Sequence, residues 1–358
     1  MLDLKKKKAI KIVAIVLCAI ASFFTLVLPF FSFVVYEGVF SRRYETPDYL
    51  KMSYTDFDGL VLEECTFESD VSLAGYKYSR SDVKVKGVVV ISHGHGDGGH
   101  NKFLPYIDEF TKNGFYVFAY DAQGNDGSSG ASTSGLPQGI IDLDSAISYA
   151  KTLSEYQNLP FMLFGHSWGA YSVGSVLNLH PEIKAAVLVS GFNDSDDMLT
   201  HYPKKYVGSW IIDNLFIKYV DLYERIKFGK KYTELTVLDG LKNSSAKVLV
   251  VHSSDDQRVL TEYGYDLYYE EFSKNERFEF ILYENEGHSN LLYSKNALNY
   301  RNSINEGYKS YLEKIGKKDK SELKEKYLSA LTIDKELYFD PNPGLLIEII
   351  DLFESVSN

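Results

Sequence analysis

Gly165-His166-Ser167-Trp168-Gly169 sets a serine between two glycines, at the end of the apolar run 160–164 and the start of a helical pattern. A strand that turns this sharply into a helix needs small residues two positions either side of the turn. The turn lifts the serine hydroxyl above the sheet, where it can attack a carbonyl carbon. An alcohol is a weak nucleophile at neutral pH, so this chemistry calls for a base to take its proton and an acid to orient the base. In a nucleophile of this strand-turn-helix type the acid follows the serine and the histidine comes last. His180, His201, His252 and His288 follow Ser167. His252 ends an apolar run just ahead of Ser253-Ser254-Asp255-Asp256, which leaves His288, in Glu284-Asn285-Glu286-Gly287-His288, as the histidine that can follow an acid from that loop. The acid is Asp256 or its neighbour Asp255, with Asp256 preferred. Asp194, Asp196 and Asp197, after the preceding strand, are a more distant choice.

Negative charge that develops on the attacked carbonyl oxygen needs two backbone N–H groups, one from the residue after the nucleophile and one from the loop after an earlier strand. Trp168 is the first. The loop Ser92-His93-Gly94-His95-Gly96-Asp97-Gly98-Gly99-His100 is rich in glycine at the right place, and His95 is the expected second donor. The spacing His93-x-His95-x-Asp97 also resembles the start of a zinc motif of metallo-β-lactamase-like hydrolases, but Gly98 stands where that motif has a histidine. No metal is expected, and His93 and His95 are read as structural neighbours of the site.

These residues must be held by a sheet. Short β-branched or aromatic runs at 83–91, 115–120, 161–164, 185–189, 248–251 and 278–282 each end in Gly, Ser, Asp or Asn, as buried parallel strands with functional loops at their carboxyl ends do. Helical patterns such as 139–153 and 168–179 lie between them. The fold class is α/β, an open and mostly parallel sheet flanked by helices, with ligands at the carboxyl edge of the strands. Residues 192–245 interrupt the alternation. Within them Ile212, Leu215, Tyr219, Leu222 and Ile226 repeat at helical intervals, so that stripe is expected to face something apolar. The stretch is read as a lid, with Tyr202, Tyr206, Trp210 and Phe216 as candidate cleft lining, as a helix packed on the body, or as both. Near the carboxyl end, Leu345, Leu346, Ile349, Ile350 and Phe353 form a further helical face expected to pack on the body.

The 358-residue chain carries a net charge of −11, and its charge is uneven. Lys5 to Lys8 and Lys11 precede residues 12–36, which contain no charged side chain. At about 1.5 Å per residue that run exceeds the roughly 30 Å hydrocarbon core, so it is expected to span a membrane as a single pass. The lysines of residues 1–11 should stay cytoplasmic and residues 41–358 lie on the extracytoplasmic side of the cell membrane. A cleaved signal ending at Ala19-Ile20-Ala21 is the alternative, but it would leave a greasy new terminus. The 318 residues after Phe40 hold 33 of the 38 basic and 47 of the 49 acidic side chains, a balance of −14. That excludes a nucleic-acid partner, because phosphate backbones are held by basic surfaces. Cys18 and Cys65 cannot build a disulfide framework.

Taken in order, His93-Gly94-His95-Gly96, Asp121-Ala122-Gln123-Gly124 running on to Ser128-Ser129-Gly130, the turn around Ser167, Asp256 and Gly287-His288 resemble the α/β-hydrolase superfamily. Within it they are most similar to the branch of monoacylglycerol lipases, lysophospholipases and serine aminopeptidase-like hydrolases. The resemblance covers residues 66–311. It departs at Gln123 and Asn125-Asp126, where the branch usually has an arginine and paired glycines, and at Ser253, where it usually has glycine. It implies cleavage of an ester or amide through an acyl-serine intermediate, with no cofactor, and the expected partner is a small-molecule ester or acyl substrate. A peptidase acting on amide bonds is the alternative within the fold, and a catalytically inactive binding module the alternative outside catalysis.

Overall fold

Six apolar runs become the parallel centre of one eight-stranded sheet. The computed structural model describes residues 2–96, 98–207 and 216–357, with side chains at 2–5 and 202–207 left aside. Asp97, Trp210, Ile212, Asp213 and Leu215 therefore lie outside the described residues, as do the side chains of Tyr202 and Tyr206. The strands are β1 (Val61–Glu68), β2 (Ser72–Ser79), β3 (Gly87–Ser92), β4 (Phe115–Tyr120), β5 (Phe161–His166), β6 (Ala185–Val189), β7 (Lys247–Ser253) and β8 (Phe278–Tyr283), in the spatial order β1-β2-β4-β3-β5-β6-β7-β8. From β4 to β8 all neighbours are parallel, and β2 runs antiparallel to β1 and β4. The order reverses at β3 and β5, and it is there that a sheet of this kind opens a crevice. Strand β3 begins at Gly87 rather than at residue 83, after the charged stretch Lys84-Val85-Lys86.

The amino-terminal helix is a single rod in three parts: α1 (Leu2–Ser22), a π-helical turn at Phe23–Val27, and α2 (Leu28–Phe40). It is long and apolar enough to cross a membrane over Lys6–Phe40. Residues 6–27 are exposed on every side. From Leu28 onward the rod changes character, because Ser32, Tyr36 and Phe40, spaced by four, form a buried face. Tyr36 and Phe40 belong to the main hydrophobic core. The expected boundary between a span ending at 36 and a body starting at 41 therefore cuts through packed helix.

Helices cover both faces of the sheet. On one face are α3 (Leu104–Lys112) and, from the far end of the chain, the helix Pro343–Glu354, whose Leu345, Ile349, Leu352 and Phe353 are buried as the apolar repeat there predicts. On the other face lie α4 (Gln138–Ala150) and α5 (Trp168–Val176). Between β6 and β7 the described residues form α6 (Ser195–Val207) and α7 (Ile217–Phe228), followed by the helix Val237–Asn243. The expected stripe on α7 is corrected: Ile217, Val220, Glu224 and Phe228 face inward, while Leu222 and Ile226 are exposed. The physical reason is the partner. Tyr219 and Tyr223 lie against the amino-terminal rod, and Glu224 is buried because Tyr36 and Ser195 both donate hydrogen bonds to its carboxylate, at 2.7 and 3.0 Å.

Candidate active site

The turn from β5 into α5 leaves no room for side chains around the serine. A Cβ on Gly165 would sit 2.4 Å from the Gly169 carbonyl oxygen, and one on Gly169 only 2.0 Å from that of Ser92. Ser167 takes φ 58° and ψ −119°, a conformation that an L residue holds only when its surroundings over-determine it. Its N–H donates to the Val189 carbonyl at 2.8 Å, which fastens the turn to β6.

Residues from two further strand ends converge on that hydroxyl. His288, in the loop after β8, places Nε2 2.8 Å from Ser167 Oγ and Nδ1 2.7 Å from Asp256 Oδ2. The geometry fits a hydroxyl that donates to Nε2 and an Nδ1–H that donates to the carboxylate. Asp256 is buried, and its Oδ1 accepts the N–H groups of Arg258 and Val259 at 2.8 and 3.0 Å. Burial alone would raise its pKa, but donors from His252 and His288 outweigh it and hold the carboxyl well below the usual carboxylate range. Asp256 thus stays ionised and can orient an imidazole.

The neighbouring acid points elsewhere. Asp255 Oδ1 accepts the Ser253 hydroxyl at 2.7 Å and the Gly287 N–H at 2.9 Å, and Ser253 Oγ in turn accepts the Glu286 N–H at 3.1 Å. Ser253, which stands where the resembling branch usually has glycine, ties the acid loop to the base loop. Asp194 and Asp197 bond within their own turn, and Asp196 sits beside Asp221 of α7, so none of the three contributes to this chain of bonds.

Sequence reasoning passed over His252. Its Nε2–H donates to the Val259 carbonyl at 2.9 Å and lies 3.3 Å from the same Asp256 Oδ2 that His288 uses. A histidine at the end of β7, four residues before the acid, was the available signal.

Opposite the base, the loop after β3 lies directly on the turn. A Cβ on Gly94 would meet His166 at 3.2 Å. Trp168 is the first residue of α5, where N–H groups have no acceptor within the helix, and its indole Nε1–H donates to the Leu136 carbonyl at 2.8 Å. The His95 ring lies edge-on to Trp168, with centroids 5.5 Å apart, and is held from its other sides. It packs against Phe40 and Tyr44, with centroids 5.8 and 5.0 Å away, and its Nε2 lies 3.1 Å from Thr133 Oγ1. His93 accepts the Ala122 N–H at Nε2 (2.9 Å) and faces the Gly94 carbonyl with Nδ1 (2.8 Å); burial pushes its pKa down. With both ring nitrogens engaged, His93 is a structural residue. Asp126 explains the departure from paired glycines: its carboxylate accepts the N–H groups of Thr46 and Gly99 and the Thr46 hydroxyl, which pins this loop to the segment that follows α2.

Above Ser167 opens a cavity of about 240 Å³, with apolar walls from Leu136, Phe192, Met198 and Val259 and with Lys102 and Arg258 also lining it. A larger cavity of about 690 Å³ borders His100 and Asp121, but those two side chains bond to each other and to the hydroxyls of Tyr78 and Tyr76.

Such an arrangement can transfer an acyl group: a nucleophile, a base in hydrogen-bond contact, an ionised orienting acid, and a helix start beside the point of attack. A family model described as serine aminopeptidase, S33, matches residues 83–272, a stretch that includes Ser167 and Asp256. No protein of curated function matches the sequence. Among solved structures, the esterase Pf2001 of Pyrococcus furiosus is similar at 19% identity over 67% of this chain and 88% of that one, with a TM-score of 0.51. The acylaminoacyl peptidase of Pyrococcus horikoshii is 18% identical over 66% of this chain and 39% of that one, with a TM-score of 0.48. At 19% identity the likeness to the esterase speaks for the fold alone.

Proposed function

The chain belongs to the serine aminopeptidase S33 family of α/β hydrolases, and from that premise we propose that it is a membrane-anchored serine hydrolase of carboxylic esters. The observation that carries this reading is the unbroken hydrogen-bond chain from Ser167 Oγ through His288 to Asp256. Ser167 Oγ attacks the ester carbonyl carbon as its proton passes to His288 Nε2. The N–H groups of Trp168 and His95 receive the oxyanion. The C–O bond then breaks, and His288 returns the proton to the departing alkoxide, which leaves as an alcohol. Water, deprotonated by the same imidazole, attacks the acyl-serine and releases the acid and free Ser167.

Lys102 and Arg258 on the cavity wall favour ester over aminopeptidase chemistry, since a free amino terminus is gripped by a carboxylate and repelled by cations. The second reading, amide cleavage, draws on the description of the family itself. The insertion between β6 and β7 serves as a lid in this proposal, because Phe192 and Met198 reach the cavity from it. The amino-terminal rod anchors the enzyme, with the lysines inside and the catalytic body outside the cell membrane.

Full-length protein should hydrolyse short-chain p-nitrophenyl esters faster than aminoacyl amides. Ser167→Ala should lower turnover by about a thousandfold or more. Undiminished turnover in that variant overturns the serine assignment, and a preference for the amides selects the second reading. A membrane-impermeant fluorophosphonate applied to intact cells should label Ser167; labelling that appears only after lysis overturns the outward placement.

A further inference from the structure

The amino-terminal rod contains a defect, and α7 repairs it. Pro29 has no N–H. In the π-helical turn before it, the Leu28 N–H donates five residues back, to the Phe23 carbonyl. The next carbonyl, that of Phe24, would take its bond from residue 29 in the same ladder, and its ordinary α-helical donor, Leu28, is already used. The Tyr219 hydroxyl of α7 donates to it at 2.7 Å, across 195 residues of sequence. A carbonyl without a partner is costly in hydrocarbon, so a donor supplied there fixes where the body sits along the rod.

Exposure gives an independent marker of depth. Lipid can surround the rod most fully over residues 6–27, where every residue is exposed and Tyr219 reaches in at Phe24. Residues 9–27 measure about 28 Å at about 1.5 Å each, close to one hydrocarbon thickness, with Lys11 able to extend its ammonium to the headgroups. The outer edge of the hydrocarbon therefore falls near Val27 and not at Tyr36. Helix α7 begins near that level and runs outward along the rod, from Tyr219 at Phe24 to Tyr223 and Lys227 at Glu37. Tyr223 continues down its rod-facing side, with ring centroids 4.8 Å from Phe33 and 5.4 Å from Tyr36. On the adjoining flank, three residues on from Tyr219 and Tyr223, Leu222 and Ile226 are 54% and 74% exposed, and on α2 Phe30 and Phe31 are 68% and 58% exposed.

We infer that the start of α7 lies in the outer interface of the bilayer beside the rod, with Leu222, Phe30 and Phe31 among the lipids and the Tyr219 hydroxyl holding the two helices in register. This rests on the membrane anchoring proposed above. The occupant of the face is the bilayer the rod crosses: the exposed apolar residues continue the lipid-facing surface of the span. The insertion that carries α7 also carries Phe192 and Met198 into the cavity above Ser167. Esters dissolved in that leaflet are accordingly the substrate class closest to the site.

The test uses the full-length chain with Cys18→Ser and Cys65→Ser in phosphatidylcholine vesicles, carrying an NBD label on Leu222→Cys, Phe31→Cys or Lys84→Cys; residue 84 precedes β3, away from the rod. Doxyl lipids should quench the first two labels about twofold more than the third, and 0.5 M NaCl should not change this. Equal quenching at all three sites, in protein that floats with the vesicles, overturns the inference and leaves the anchor standing. Protein that does not float overturns both, while ester hydrolysis in the same sample reports separately on the catalytic reading. Tyr219→Phe should speed proteolysis within α7 about fivefold, and Pro29→Ala, which restores an N–H at residue 29, should abolish that effect. A full effect of Tyr219→Phe in the Pro29→Ala background overturns the role of the hydroxyl.

Discussion

The turn at Ser167 and the kink at Phe23–Val27 are both departures from regular helix, and they are relieved in opposite ways. At Ser167 the strained conformation is accommodated by glycines two residues away on either side and by strand β6 next door. At the kink, the carbonyl that Pro29 leaves without a donor is satisfied by a tyrosine 195 residues further on. A departure relieved locally writes a short motif. One relieved by tertiary contact leaves only a proline in an apolar run, with nothing to say where its partner lies.

If the first region performs chemistry and the second holds the body to its anchor, substitutions should separate activity from stability. Asp256→Asn should lower kcat by about 10³ to 10⁴-fold with little change in thermal midpoint, because the imidazole loses the acceptor that sets its tautomer. Asp255→Asn should cost about tenfold or less, since it only clips the His288 loop. Equal losses would break the distinction drawn between the two acids. Next in size is Phe40→Ala, which should cost about 3–5 kcal/mol in denaturant unfolding while the folded fraction keeps most of its turnover. An unchanged unfolding midpoint would mean that the rod is a tether alone.

Glu224 supplies a pH handle on the second region. Burial raises its pKa to about 7, partly offset by the hydrogen bonds from Tyr36 and Ser195. The folded state therefore holds a proton that the unfolded chain releases near 4.5, so this site's contribution is full below that pH and declines as pH rises toward about 7. Glu224→Gln should flatten the decline and gain up to about 3 kcal/mol at pH 8, read from unfolding midpoints between pH 4 and 8. An unaltered pH profile would show that Glu224 does not titrate across that range. The smallest effect is expected at His252. His252→Leu should lower kcat about tenfold, as Asp256 loses a donor that holds its carboxylate in place against His288. His252→Gln, which retains an N–H donor, should recover part of the loss; equal activity in both variants would remove His252 from the site.

Legibility in the sequence followed the same division. Strands β3 to β7 were readable because both their faces are buried, which makes each a continuous apolar run. Strands β1 and β2 were not, since β1 is largely exposed and Val61-Leu62-Glu63-Glu64-Cys65 shows no clean alternation. Ser167 and His288 could be chosen by motif and chain order. The choice of Asp256 over Asp255 could be favoured but not settled, because the roles of two adjacent carboxylates depend on which loop each one faces. On α7 the period was legible and the inward face was not, because a buried Glu224 and exposed Leu222 and Ile226 invert the usual reading until the rod is present as a partner.

Burial of Tyr36 and Phe40 in the core also sets an order of assembly. The rod leaves the ribosome well before the sockets of its side chains: Tyr36 waits for Glu224, which is 188 residues behind it. Until α7 arrives, the carboxyl end of the rod shows an unfilled aromatic face. The interval between synthesis of the rod and completion of the insertion is the period in which this protein most needs a chaperone.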